Sequence, residues 1–423
     1  MTVGTGSSHL DGIGARIMRR AALLAQHTEV PGQLTRTFLT PVQRAAAETL
    51  MGWMRDAGMT ARIDAIGNVV ARYEGERPGA PALMFGSHFD SVRNGGRYDG
   101  DLGVVAPIAC VDALHRAARR LPFAVEVVAF ADEEGVRFQA TLLGSKAVAG
   151  TFDAALLDRR DADGVRMADA LVAYGLDPER VGEAARRRDE ILAYCELHIE
   201  QGPVLLAEGL PVGVVTSIVG FNRYTVRATG LAGHAGTVPR GLRRDAAAAA
   251  AEVVLAVERR CRAVEGLVGT VGQLQVPEGA TNVIPGACEL SLDVRSGDDA
   301  VREAAVADLL AGIDAIGARR GVAFAVTPNQ AAPSCRCAPW LMDQLDAAVR
   351  RAGVPVRRLP SGAGHDAMAI APLADVAMLF VRCGNGGISH HPDETMTEAD
   401  ADLSARILHD FIVHFDPSAR PGS

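Results

Sequence analysis

The sequence predicts an α/β protein with a mixed, mostly parallel sheet covered by helices, and with a smaller α/β domain inserted into it. Three observations support this fold class. Helical patterns alternate with short apolar runs in the first half of the chain, a β-α-β-β-α-β order follows from about Pro211, and the first rhythm then resumes. We therefore expect one domain over 1–211 and 330–423 and an inserted domain over 212–329.

The elements of the larger domain follow from periodicity. Helices show apolar residues at helical spacing, whereas strands are short apolar runs that end in polar residues. The predicted helices cover 13–26, 41–56, 102–114, 338–352 and 399–414, and the predicted strands cover 82–85, 125–130, 194–198 and 377–381. In such sheets functional side chains collect beyond the carboxyl ends of the strands.

The inserted domain reads as a split β-α-β unit. Its predicted strands cover 224–228, 267–275, 288–294 and 323–326, and its predicted helices cover 245–260 and 300–316. This order is long enough to form a separate small domain.

Composition narrows the classes of function. The 423 residues carry a net charge of -8, and acidic and basic residues are mixed along the sequence. The sequence therefore has no basic stripe of the kind that binds nucleic acid or an anionic membrane surface. No window approaches the roughly 18 apolar residues that span a bilayer, and residues 1–14 lack a signal-peptide pattern. We expect a cytoplasmic protein with a small-molecule partner.

The cysteines do not form a disulfide framework. Their number is odd, and the pair Cys335 and Cys337 has the wrong spacing for a zinc knuckle. We expect all of them to be reduced packing residues: Cys110, Cys195, Cys261, Cys288, Cys335, Cys337 and Cys383.

A histidine and two carboxylates lie around one Gly-rich turn after strand 82–85. His88 and Asp90 lie two residues apart and would share one side of the strand end, and Asp99 follows the turn. A metal-bound imidazole usually gives its second ring N–H to a carboxylate, and the side chain of Asp90 is placed to orient His88 in this way. A lone His-x-Asp is more often a surface polar pair, so this interpretation depends on further ligands.

The run Asp132-Glu133-Glu134 ends the strand 125–130. Three adjacent carboxylates at a buried strand end repel one another unless a cation compensates. With one glutamate as a ligand, its neighbour can act as a general base. The alternative is a solvated helix N-terminus, where the helix dipole favours acidic residues.

Further histidines complete a possible ligand set. His198 lies on strand 194–198, and a Gly-rich loop near the C-terminus delivers His390 and His391, of which one is a candidate ligand. Two metal ions can share such a set if Asp99 bridges them, at the roughly 3.5–4 Å spacing of hydrolytic two-metal sites. Nitrogen and oxygen ligands suit zinc, manganese, cobalt or nickel.

Taken together, these motifs resemble those of the M20-type metallohydrolases, and more narrowly of their hydantoinase/carbamoylase branch. That branch contains N-carbamoyl-L-amino acid hydrolases, β-ureidopropionases and allantoate amidohydrolases. The resemblance covers nearly the whole chain in order, through His88-x-Asp90, Asp99-Gly100, Glu133-Glu134, the segment 197–203, the segment 233–237, the segment 282–286 and Ile388-Ser389-His390.

The resemblance implies a dinuclear centre and its ligands. One divalent ion would be held by Asp99, Glu134 and His390, and the other by Asp99, His88 and His198. Glu133 would be the general base and proton shuttle, and Asp90, which would orient His88, counts with it among the catalytic residues. His198 favours the amidohydrolase branch, since peptidase relatives commonly carry a carboxylate there.

The resemblance also implies that the inserted domain is a lid that contributes to catalysis and forms a homodimer. His234 would stabilise the developing oxyanion. Asn282 and Arg295 would bind the substrate, with Arg295 offering its planar fork to a carboxylate. The pocket would be completed by Gln201, Gly362 and His365. Some lid groups could act on the partner's site.

The implied reaction is metal-dependent hydrolysis of the carbamoyl group of an N-carbamoyl-L-amino acid or a related ureido acid. Three alternatives stay open: an allantoate or ureidoglycolate-type amidohydrolase, an aminoacylase or dipeptidase, and a non-catalytic ureido-acid binding protein. Arg240 and His391 depart from the usual residues of the branch. Both affect which substrate side chain is expected, because fold does not fix substrate.

Overall fold

The structure is a computed structural model that describes residues 8–422. Its chain divides into two compact units. Within the described residues, the larger comprises 8–216, 337–359 and 364–422, and the smaller comprises 217–336 and 360–363. The smaller unit therefore starts and ends a few residues later than the domain expected over 212–329.

The helices fall close to the predicted positions, with shorter ones added. Within the described residues the α-helices are α1 (Ile13–Leu24), α2 (Pro41–Asp56), α3 (Asp101–Arg116), α4 (Leu143–Val148), α5 (Met167–Tyr174), α6 (Val204–Glu208), α7 (Ala246–Arg262), α8 (Asp299–Arg320), α9 (Pro339–Arg351), α10 (Asp366–Ile370) and α11 (Glu398–His414). Side-chain caps start several of them. Thr40, for example, accepts the backbone N–H of Gln43 before Pro41 opens α2.

The strands are β1 (Thr60–Ile63), β2 (Val69–Tyr73), β3 (Ala82–His88), β4 (Ala124–Phe130), β5 (Ile191–Ile199), β6 (Val212–Ile218), β7 (Gly220–Thr229), β8 (Gly233–His234), β9 (Leu267–Thr270), β10 (Leu274–Gln275), β11 (Val283–Ile284), β12 (Ala287–Ser296), β13 (Ala323–Ala332), β14 (Cys335–Arg336), β15 (Arg358–Ser361) and β16 (Val376–Val381). They confirm the predicted fold class. The prediction was wrong at 267–275, which is two strands rather than one.

The large sheet is mixed. Its order runs β1-β2-β4-β3-β5-β16-β6, and the central strands β4, β3, β5 and β16 are parallel. Every residue of β3, β4 and β16 is buried, as expected for parallel strands covered on both faces. Their carboxyl ends meet at one edge of the sheet, which receives the loops that carry the predicted ligands.

The smaller unit is an antiparallel sheet with two helices. Its strand order is β10-β12-β7-β13, with β9 also on β12, and β8 pairs with β11 in a separate two-stranded ribbon. An alanine-rich face of α7 packs in the core of this unit with α8 and the inner face of β12. The order β7-α7-β9-β12-α8-β13 is the predicted split β-α-β unit, to which the ribbon adds two short strands.

Candidate metal centre

Two buried histidines lie at the ends of neighbouring parallel strands. β3 ends at His88, His198 is the last but one residue of β5, and their ring centroids are 5.8 Å apart. His88 donates from Nδ1 to the carbonyl of Asp90 at 3.1 Å, and His198 donates from Nδ1 to the carbonyl of Ile199 at 2.8 Å. Since a carbonyl only accepts, Nδ1 carries a proton in both rings, and Nε2 is the ligand atom.

Asp99 lies between these histidines and His390. Its Oδ1 is 3.6 Å from Nε2 of His88 and 3.4 Å from Nε2 of His198, whereas its Oδ2 is 3.2 Å from Nε2 of His390. The two carboxylate oxygens thus face different partners. This is the arrangement expected of a carboxylate that bridges two ions.

Glu134 joins His390 on the second side of Asp99. Oε1 of Glu134 is 3.5 Å from Nε2 of His390. The backbone of His390 is left-handed, with φ 54°, a conformation that non-glycine residues adopt at a cost. The loop therefore holds His390 in an unfavourable backbone conformation, and its ring lies near Asp99 and Glu134.

Asp90 has a broader role than the sequence indicated. Its carboxylate accepts the backbone N–H groups of Glu133, at 3.0 Å, and Glu134, at 3.2 Å. It supports His88 chiefly through its backbone carbonyl, while its Oδ1 is 3.5 Å from the same ring nitrogen. Asp90 thereby fixes both His88 and the loop that carries the two glutamates.

The residues fit a pair of divalent cations. The candidate ligand atoms of Asp99, His88 and His198 lie within 4.8 Å of one another, and so do those of Asp99, Glu134 and His390. Two ligands about 2.1 Å from one tetrahedral ion are roughly 3.4 Å apart, which matches the observed separations. Oδ2 of Asp99 and Nε2 of His198 are buried with no hydrogen-bond partner among the described residues. Such atoms are uncommon in a folded protein and suit metal coordination.

Burial and neighbouring charges shift the pKa values of the candidate ligands. Burial lowers the pKa of His198 to about 4. Burial and then Asp99 raise the pKa of Glu134 to about 7, and Asp99 raises the pKa of His390 to about 9. A cation bound by these groups would have to displace any proton from its ligand atoms.

Glu133 lies beside the ligand groups in an acidic environment. Burial, followed by the charge of Glu134, raises the pKa of Glu133 well above its ordinary value. Its carboxyl group also belongs to a cluster with His88 and Glu134 whose candidate ligand atoms lie within 4.8 Å of one another. A carboxyl group with a raised pKa beside the ligands can accept a proton from a reacting group and pass it on.

A family model described as Peptidase family M20/M25/M40 matches residues 84–414. The chain belongs to this family. It is 40% identical to an N-carbamoyl-L-amino acid amidohydrolase from Geobacillus stearothermophilus, over 94% of this chain and 97% of that protein. It is also 40% identical to a probable allantoate deiminase from Oryza sativa subsp. japonica, over 95% of this chain and 89% of that protein.

A solved structure gives the branch of the M20 family. The crystal structure of an amidase of the hydantoinase/carbamoylase family from Burkholderia multivorans superposes with a TM-score of 0.90 at 33% identity, covering 96% of this chain and 98% of that chain. The predicted membership of the hydantoinase/carbamoylase branch is thereby confirmed. Among residues 8–422, no helix of this M20 protein is long and apolar enough to cross a membrane.

Two residues predicted to bind substrate contact the metal centre of this M20 chain. Gln201 donates from Nε2 to Oδ1 of Asp99 at 3.1 Å, from a left-handed backbone with φ 54°. His365 is buried, with its ring centroid 4.5 Å from that of His198. A substrate contact for either stays a prediction, while their contacts place both beside ligands.

The smaller unit brings His234 and Asn282 together. β8 pairs with β11 so that His234 lies opposite Val283, and the backbone N–H of Ala235 donates to the carbonyl of Asn282 at 2.9 Å. Gly236 donates its N–H to Nδ1 of His234 at 3.0 Å. This contact makes Nδ1 an acceptor, so the proton of the neutral ring is on Nε2.

Arg295 and Gly362 also meet within the smaller unit. Nη1 of Arg295 donates to the carbonyl of Gly362 at 2.9 Å. Nε and Nη2 bind both carboxylate oxygens of Asp293 at 3.1 and 3.0 Å. These contacts use three of the five N–H groups of a guanidinium, which leaves one on each Nη for a ligand.

Sequence reasoning missed several buried acids around the centre. Glu394 accepts hydrogen bonds beside Asp99 and His390. Both carboxyl oxygens of Asp366 are buried without a hydrogen-bond partner in the described chain, and burial followed by Glu196 raises its pKa well above the ordinary value. The only sequence signal for Glu394 was an acidic turn after His391, a pattern typical of exposed loops.

Proposed function

We propose that this protein hydrolyses the carbamoyl group of an N-carbamoyl-L-amino acid or a closely related ureido acid. This proposal rests on one observation, that the two carboxylate oxygens of Asp99 face different histidines. Its Oδ1 faces His88 and His198, and its Oδ2 faces His390. Divalent ions held by these groups would polarise the ureido carbonyl and acidify a water molecule.

The chain's own residues would supply proton transfer and binding. Glu133 has the raised pKa of a group that takes a proton from the attacking water and delivers it to the leaving nitrogen. One water cleaves the bond between the ureido carbon and the leaving nitrogen. The carbamic acid that results loses carbon dioxide by breaking its own C–N bond, so the products are the amine, carbon dioxide and ammonia. Nε2–H of His234 is a donor suited to the oxyanion that forms transiently.

Recognition of the substrate would come from the smaller unit. The two remaining N–H groups of Arg295 suit one carboxylate. Asn282 immediately precedes β11, the strand that pairs with the strand of His234. Nitrogen and oxygen ligands allow zinc, manganese, cobalt or nickel. The homodimer through the lid, which the resemblance implies, stays a prediction.

Allantoate is a second candidate substrate. A relative named for allantoate deimination is as similar to this chain, at 40% identity, as one named for N-carbamoyl-L-amino acids. Both compounds present a carboxylate next to a ureido group, so the same residues would serve either.

Ammonia release from a panel of compounds separates these functions. The protein, stripped of metal and reloaded separately with manganese, zinc, cobalt or nickel, is offered N-carbamoyl-L- and D-amino acids, β-ureidopropionate, allantoate and N-acetyl amino acids. We expect L-selective release from the carbamoyl compounds. Ammonia release from allantoate alone would favour allantoate over N-carbamoyl-L-amino acids as the substrate. No ammonia release from any ureido compound would contradict both candidate functions.

A further inference from the structure

Glu394 is a buried carboxylate in an exposed turn. Its neighbours His391 and Asp393 are exposed, yet only 2% of the Glu394 surface is accessible. Its Oε1 accepts the backbone N–H groups of Tyr98, at 2.9 Å, and Asp99, at 3.2 Å, and its Oε2 accepts the hydroxyl of Ser389 at 2.7 Å. A buried carboxylate is costly unless it is compensated in this way.

These contacts join two distant segments. Glu394 follows Asp99 by 295 positions in the chain, and Ser389 immediately precedes His390. One carboxylate therefore fixes the backbone of Asp99 and the residue that leads into His390. Gly96 permits this approach, since a Cβ there would lie 2.2 Å from Cδ of Glu394.

The contacts close into a ring. Nε2 of Gln201 lies 3.1 Å from Oδ1 of Asp99 and 3.4 Å from Oγ of Ser389. Ser389 donates to Glu394, which returns to the backbone of Asp99. The ring runs beside His390, whose left-handed backbone needs surrounding structure to hold it.

We infer that Glu394 is a positioning residue that holds Asp99 and His390 at the separation needed to share one ion. This inference rests on the proposed function, in which both residues are metal ligands. A glutamine can keep most of the ring, because its Oε1 still accepts the backbone N–H groups and its Nε2 can donate to the hydroxyl of Ser389. Alanine removes all three contacts.

The test compares ion binding by the whole chain and its Glu394→Ala and Glu394→Gln variants. Metal-free protein is titrated with cobalt, followed by calorimetry and by the visible absorption of the bound ion. Asp393→Ala is the matched control, since that carboxylate is exposed and on the same turn. We expect two ions in the wild type and in the control, and one ion bound about 10–100-fold more weakly after Glu394→Ala.

Rescue separates positioning from general loss of structure. Glu394→Gln should restore binding to within a few fold of the wild type, with the cobalt spectrum of the wild type. If Glu394→Ala does not fold, Ser389→Ala removes the hydroxyl that contacts Glu394 and Gln201, and it should weaken the same ion. Wild-type affinity and spectrum for both ions in Glu394→Ala, or in Ser389→Ala used in its place, would overturn the inference.

The outcome for the proposed function is read separately. A wild-type protein that binds two ions but releases no ammonia from any ureido compound would contradict the proposed function and leave the positioning inference intact. A wild-type protein that binds no ion would overturn both.

Discussion

The backbone N–H of Gly236 donates to Nδ1 of His234 at 3.0 Å, and this contact determines which ring nitrogen of His234 is a donor. Because Nδ1 accepts, the neutral ring carries its proton on Nε2. The turn 234–236 therefore aims a donor rather than a lone pair outward, as stabilisation of an oxyanion requires.

Replacing this donor should slow the chemical step. His234→Ala should lower kcat by about 100- to 1000-fold with little change in KM, since an oxyanion donor acts mainly in the transition state. Steady-state ammonia release measures both constants. His414→Ala, which removes a half-exposed histidine outside the site, is the control. A tenfold rise in KM without a fall in kcat would assign His234 to substrate binding instead.

Loss of Glu133 should separate metal binding from turnover. Glu133→Gln keeps the size of the side chain but cannot hold the transferred proton, so we expect two bound ions and a fall in kcat of about 100-fold or more. Metal analysis and ammonia release on one preparation test this together. Turnover near that of the wild type would remove Glu133 as the base.

Arg295 should determine affinity for the substrate carboxylate. Arg295→Lys loses the planar fork that binds Asp293 and Gly362, and we expect KM to rise at least about tenfold with kcat nearly kept. Arg223→Lys is a matched control, because Arg223 contacts Asp293 at 3.0 Å but makes no recorded contact with Gly362. Equal effects of both variants on KM would mean that the carboxylate site is not at Arg295.

Folding stability should depend on pH through His409, which lies on α11 and is not a candidate metal ligand. Burial, and then Arg119, lower the pKa of His409 to about 4 from an ordinary value of 6.5. Between pH 6.5 and 4 this histidine binds a proton in the unfolded chain but stays neutral in the folded chain. The free energy of unfolding therefore falls as the pH drops from 6.5 towards 4, by up to about 3 kcal/mol.

Urea unfolding of the metal-free protein between pH 7.5 and 4.5 measures this dependence. His409→Gln should flatten the pH dependence of the unfolding free energy relative to the wild type. His414→Gln, on the same helix and half-exposed, should not. Parallel curves for the wild type and His409→Gln would contradict the assignment.

Much of the fold was predictable where one strong pattern decides. β3 and β4 are mostly apolar and fully buried, and the polar residues at their ends gave the positions of His88 and Glu134. The β1 and β2 hairpin was not predicted, because Thr60–Ile63 is short and alternates exposed with half-buried residues at the edge of the sheet. Edge strands lack the apolar signal of central ones.

The split of the predicted strand 267–275 has a local cause. The pairing with β12 shifts by one residue, from Thr270 opposite Asp293 to Leu274 opposite Leu290. Between these pairs, the backbone N–H of Gln273 donates to the hydroxyl of Ser291 at 3.0 Å. A side-chain partner of this kind competes with sheet pairing and leaves little trace in a hydrophobic pattern.

In the candidate site too, residues in local sequence motifs were predictable, and contacts between distant segments were not. Residue type and position indicated His88, Asp99, Glu134, His198 and His390 as ligands, and the structure brings them together in two groups. Glu394 could not be predicted, because its three partners lie on two segments that only the fold brings together. Contacts of this kind depend on tertiary structure rather than on periodicity.

The most direct test of the central claim measures ions per chain and ammonia release on the same sample. Protein dialysed against a chelator should lose turnover of N-carbamoyl-L-amino acids, and added manganese or cobalt should restore it as two ions bind per chain. Full turnover by protein shown to contain no metal would contradict the dinuclear site formed around Asp99.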